Sequence, residues 1–223
     1  MAIGFSATAR RLGIASAITV AVLLAGYATS LTIGLLALPN PNEPIKDPMF
    51  SILEVTIILL MPAMVAMMVA VHAWTPARRK PLSMVALLFM CMVAIVTCCL
   101  HFIILTVGNH PDIKEQDWAP FFFSFRWPSI AYALDIIAWD LFFPLSMLFA
   151  APVFSGSRLG NAIRFTMIAS GVLALAGLIG VITGNMQLRN IGIIGYVPVF
   201  LCVAVLIALL FARTDTVAND PNS

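Results

Sequence analysis

The chain has 223 residues, of which 61% are hydrophobic and 10% charged, with a mean hydropathy of +1.03 and a formal net charge of +2 at pH 7. Soluble domains carry about 45–50% apolar and about 25% charged residues, so a soluble globular domain is excluded. The small net charge, with no basic stripe beyond the segment ARRK at 77–80, excludes a nucleic-acid partner.

Six apolar runs follow in chain order, at 12–38, 50–74, 83–107, 129–154, 165–184 and 191–212. Each is near the ~20 residues that a helix needs to span a hydrocarbon core. An unpaired backbone amide is costly in lipid, and alternating strands of about 10 residues are not visible, so the spans are helices. The expected fold is all-α, one polytopic membrane domain over 1–223, with six transmembrane helices in three hairpins. The first run follows Arg10 and Arg11 like a signal peptide, but it exceeds an h-region of about 7–15 residues and reads as a retained helix.

The connection LPNPNEPIKDP (38–48) holds four prolines and reads as extended and stiff. The next long connection ends in WAPFFFSFRWPS (118–129), an aromatic belt at the membrane surface or a lid over what lies beneath. In the fifth span Ala176, Gly180 and Gly184 recur every four residues, which suits close helix packing, within the bundle or in a dimer. Met64, Met67 and Met68 read as packing residues. Cys91, Cys98, Cys99 and Cys202 all fall inside spans and read as small hydrophobes, not as a disulfide framework. A loose recurrence of an acidic or amide residue, a proline and a basic residue in the second, fourth and sixth spans (Glu54, Asp135 and Asn190; Pro62, Pro144 and Pro198; Arg78, Arg158 and Arg213) reads as topology signals, not a triplicated unit.

Orientation follows from basic residues, which stay on the cytoplasmic side. With both termini inside, Arg10, Arg11, Arg78, Arg79, Lys80, Arg158, Arg164 and Arg213 are cytoplasmic, against Lys46, Lys114, Arg126 and Arg189 outside. The absence of N-x-S/T sequons in the outer loops fits a bacterial cytoplasmic (inner) membrane.

The candidate site rests on depth. At about 1.5 Å per residue, Glu54, His101 and Asp135 lie within one or two turns of each other in the outer half, Asp140 lies deeper, and Arg189 and Asn190 cap the same side. A charge at the bilayer centre costs about 2.5–3.5 kcal/mol, so these groups are expected to converge on one polar pocket. On an ideal α-helix Asp135 and Asp140 stand about 140° apart and flank that pocket rather than share a stripe. Pro144 frees the carbonyl of Asp140. The leading expectation is small-solute or proton-linked binding or transport at Glu54, His101, Asp135, Asp140, Arg189 and Asn190, in a homo-oligomer within the bilayer.

Two alternatives stand beside it. A membrane-embedded enzyme would use Glu54, His101 and Asp135 as ligands of a divalent metal, although no HExxH, GxSxG or paired-histidine motif supports it. A structural protein would use Glu54 with His101 or Arg126, and Asp135 with Arg189, only to fix helix register. His72 and His101 sit at opposite ends of their spans and cannot share a haem, and the residues name no other cofactor.

Overall fold

The structure is a computed structural model that describes residues 5–40, 43 and 45–216. Pro41, Asn42 and Pro44 of the proline-rich connection lie outside the described residues. Within them all regular structure is helical, and six helices are long and apolar enough to cross a membrane, as an integral membrane protein requires: α1 (Ala7–Leu36), α2 (Met49–Trp74), α3 (Ala77–Gly108), α4 (Ile130–Val153), α5 (Arg158–Thr183) and α6 (Met186–Ala212). Two short helical turns, Pro111–Lys114 and Ala119–Phe123, lie between α3 and α4.

Several helices begin earlier than hydropathy suggests, because capping chemistry sets a helix start. The Ser6 hydroxyl accepts from the Ala9 amide at the head of α1, and that of Ser157 accepts from Gly160 at the head of α5. Arg10, Arg11 and Arg158 are therefore helical despite their charge. Ser129 caps α4 in the same way, through the Tyr132 amide.

Each helix packs against the next, and α1 packs against α6, which closes the six into a ring. The ring is filled with side chains. Met61, Met64, Met67, Met68, Met90 and Met147 are buried at 0% exposure, joined by Phe143 and Phe200. Unbranched methionine adapts to the irregular gaps where several helices meet.

The lower end of the ring holds Arg10, Arg79 and Lys80, which cap C-termini of helices. Arg10 donates to the carbonyls of Phe211 and Ala212 on α6, at 2.9 and 2.7 Å. Arg79 donates to Val153 O at the end of α4, and Lys80 donates to His72 O near the end of α2. Each places a cation on the negative end of a helix dipole.

Glycines let α5 and α6 pack closely. A Cβ on Gly195 would lie 2.6 Å from the Ser170 carbonyl, and one on Gly180 would lie 2.8 Å from the Arg189 amide. Gly180 thus serves packing within the bundle. Gly184 has a different part, ending α5 in the left-handed conformation at φ 71°.

Candidate functional site

The upper end carries the connections after α1, α3 and α5, and the site lies just beneath it. Glu54 lies in the second turn of α2, His101 near the end of α3 and Asp135 in the second turn of α4. Arg189 closes the 3₁₀ turn that opens α6 (Met186–Arg189), and its side chain is buried in the ring.

α4 does not remain an ideal α-helix between its two aspartates. Residues Ile137–Phe142 form a π-helical turn, with the Phe143 amide donating to the carbonyl of Ala138 five residues back. A turn closed from i to i+5 brings residues five apart back toward one side. Asp135 and Asp140 therefore reach the same partner, which corrects the 140° separation expected of an unbroken α-helix. The wide turn also accommodates Pro144, whose missing N–H and ring disfavour the usual i−4 bond. Ser146 does not mend the opening, since its hydroxyl donates to Ala86 O on α3 at 2.8 Å. α3 and α6 widen likewise at Ile104–Gly108 and Gly195–Val199, the latter around Pro198.

The polar side chains form a continuous chain across four helices. Glu54 Oε2 lies 2.8 Å from His101 Nδ1, and His101 Nε2 lies 3.9 Å from Asp135 Oδ1. Arg189 Nη2 donates to Asp135 Oδ2 at 2.6 Å, and its Nε donates to Asp140 Oδ2 at 2.7 Å. Glu54, His101 and Arg189 are 4–5% exposed and Asp140 is fully buried. Such short, charge-assisted bonds hold well only where water is excluded.

Aromatic rings flank this chain. Phe125 stacks on His101 at 5.4 Å, and Tyr132 lies under the Arg189 guanidinium, 4.5 Å from its carbon. The aromatic segment thus supplies one flanking ring, Phe125, while Trp118, Phe121, Phe122 and Trp127 remain exposed as a belt would be.

Two glycines shape the deep end. Asp140 Oδ1 sits in a notch where a Cβ on Gly177 of α5 would come within 2.7 Å and one on Gly192 of α6 within 2.6 Å. The oxygen is buried and has no hydrogen-bond partner among the described residues, and the same holds for His101 Nε2. Beside Asp135 a cavity of about 40 Å³ is lined by Tyr27 of α1, Ile57 and Leu60 of α2, Trp139 of α4 and Tyr196 of α6. It has room for ordered water, far below the ~300 Å³ of a small-molecule site.

Of the six candidate residues, the structure brings five together. Asn190 is exposed, with its amide on Gln187 at 3.1 Å and pointing away from the chain. Arg126 is also exposed and takes no part. Glu54 and Asp135 approach different nitrogens of His101, so the three do not converge on one point. Among the described residues no group of three or more His, Cys, Asp or Glu side chains is placed to hold a metal ion.

Sequence reasoning missed Tyr27, Tyr196, Gly177 and Gly192. A tyrosine in an apolar span was the available signal for the first two, because its hydroxyl needs a polar neighbour when buried. Comparisons with protein-family models, curated proteins and solved structures find no match to this chain.

Proposed function

We propose that the protein is a multi-pass protein of the bacterial cytoplasmic membrane, three helical hairpins with both termini cytoplasmic, whose activity is linked to proton binding in its outer half. The orientation is supported by the gathering of Arg10, Arg79 and Lys80 at one end, where they cap helices, since basic residues remain on the cytoplasmic side.

The observation that carries the proton reading is a charge imbalance in a dry place. Three carboxylates, Glu54, Asp135 and Asp140, face one guanidinium, Arg189, and one imidazole, His101. With the imidazole neutral the chain of groups is two positive charges short, and each uncompensated charge at membrane depth is expensive. Two bound protons make up that deficit. The 40 Å³ cavity beside Asp135 supports water or a proton as the ligand rather than an organic solute. Fully buried methionines and phenylalanines below the site favour binding and release on one side over an open channel.

Potentiometric titration of the full chain in detergent tests this reading. Asp140→Asn removes one carboxylate, so the variant should bind one proton fewer per chain than wild type between about pH 5 and 8. Identical titrations, with all three carboxylates ionised in infrared spectra across that range, would refute it.

The three direct contacts of 2.6–2.8 Å that tie α2 to α3 and α4 to α6 favour a second reading, in which these groups only fix helix register. The same null titration result would support it.

A further inference from the structure

The charge argument requires bound protons without saying which atoms hold them. His101 supplies an answer for one of the two. Its Nδ1 faces Glu54 Oε2 at hydrogen-bond distance, 2.8 Å. Its Nε2 is buried, has no hydrogen-bond partner among the described residues, and lies 3.9 Å from Asp135 Oδ1. A neutral imidazole owns a single N–H. Placed on Nδ1, that hydrogen completes the bond to an ionised Glu54, and Nε2 is left as a lone pair facing the lone pairs of a carboxylate. Two acceptors 3.9 Å apart in a water-poor setting repel each other, and one proton converts them into a donor and an acceptor.

We propose that His101 Nε2 and Asp135 Oδ1 form a proton-binding couple, reached from the outer side through Asp135. This inference rests on the proton-linked reading above. In the binding step the Nε2 lone pair forms an N–H bond as an O–H bond of a hydronium ion breaks and releases water. No electrons change hands, and the charge of the site rises by one. Asp135 then shortens the 3.9 Å gap to accept the new N–H. Asp135 is suited to the part because its side chain is the least buried of the five, 13% exposed, and it borders the cavity with Tyr27 and Tyr196. Phe125, stacked on the imidazole, holds the ring so that Nε2 keeps facing Asp135.

The couple is surrounded on every side by groups that set its balance. α2 contributes Glu54 and α1 contributes Tyr27. α4 contributes Tyr132 and Asp140 besides Asp135, α6 contributes Arg189 and Tyr196, and α5 meets the site with Gly177, which carries no charge. Arg189 already holds Asp135 Oδ2 at 2.6 Å. A move of Asp135 toward His101 loosens that bond and leaves Arg189 more fully to Asp140. Proton binding on one side of Asp135 is thereby felt at Asp140, in the glycine notch between α5 and α6.

The test is ¹⁵N NMR of the histidine rings in the full chain, reconstituted in lipid nanodiscs. The chain has three histidines; the signals of His72 and His110 are identified by their loss in His72→Gln and His110→Gln, and His101 is the remainder. At the alkaline end of the range about pH 8 to 5, the wild type is expected to show His101 protonated on Nδ1 alone. As the pH falls, Nε2 should take on the resonance of a protonated ring nitrogen. In Asp135→Asn that step should move to lower pH, because the facing anion is gone.

A wild-type His101 that carries its single proton on Nε2 overturns the proposal whether or not any variant folds. So does a step in Asp135→Asn that coincides with the wild-type step. If titration shows proton uptake by the site while His101 keeps one proton throughout, the couple is wrong and the broader proton-linked reading stands. If the site takes up no proton, both fall.

Discussion

Arg189→Gln is the perturbation that bears most directly on the site. Arg189 is 5% exposed and is the shared partner of two carboxylates, with bonds of 2.6 and 2.7 Å to Asp135 and Asp140. Glutamine keeps hydrogen-bond donors and loses the charge. Removing one partner of a buried ion pair costs about 3–5 kcal/mol, since the other charge is left uncompensated. Both pairs here depend on one cation, so the loss is counted once and placed near the top of that range, about 5 kcal/mol. That is more than about a thousandfold in the folding equilibrium. The assay is unfolding of the full chain in mixed micelles, followed by circular dichroism. The deficit should narrow as the pH falls, because a protonated carboxyl needs no countercharge. Asp140→Asn combined with Arg189→Gln should recover about 1–3 kcal/mol relative to the single change, as expected for coupled neighbours. A single variant within about 0.5 kcal/mol of wild type at neutral pH would refute the reasoning.

Gly192→Ala should cost about 1–3 kcal/mol in the same unfolding measurement, because its Cβ would stand 2.6 Å from Asp140 Oδ1 and 3.3 Å from the Tyr196 ring. Gly26→Ala, with nothing within 4 Å of its Cβ, should instead be neutral or stabilising by up to about 1 kcal/mol through helix propensity; equal losses at the two positions would contradict the notch. Arg10→Ala removes two bonds to the last carbonyls of α6, and hydrogen exchange should rise in its final turn, with a loss of about 1 kcal/mol. Asp47 precedes α2 and accepts from the Ser51 hydroxyl at 2.6 Å and its amide at 3.1 Å, which holds its carboxyl below the ordinary 3.8. A depressed value means stabilisation that is complete above 3.8 and fades as the pH falls through the folded-state value. Ser51→Ala should raise the Asp47 titration in a carbon-detected NMR series, and an unchanged midpoint would show that the cap does not act on it.

The six spans were legible in the sequence because hydropathy over about 20 residues is a property of consecutive positions. The grouping of Glu54, His101 and Asp135 was legible for a related reason: a common depth in a membrane leaves costly groups few places to go. Asn190 shows the limit of that argument. It shares its depth with Arg189 and sits next to it, yet the 3₁₀ turn at Met186–Arg189 sends one side chain into the ring and the other out to Gln187. Depth along a helix says nothing of azimuth.

Composition and hydropathy alone determined that the chain is helical, apolar and crossed by a few ionisable groups near one end, because each of these is a sum over local residues. Only the tertiary structure decided that Asp135 and Asp140 serve one arginine, because the π-helical turn between them is a choice of i to i+5 hydrogen bonding made around Pro144. It likewise decided that Gly177 and Gly192 meet at Asp140, that α1 closes on α6, and that His101 looks at Asp135 with its unpartnered nitrogen. Those are contacts between residues tens of positions apart, fixed by packing and by exclusion of water, which no local pattern records.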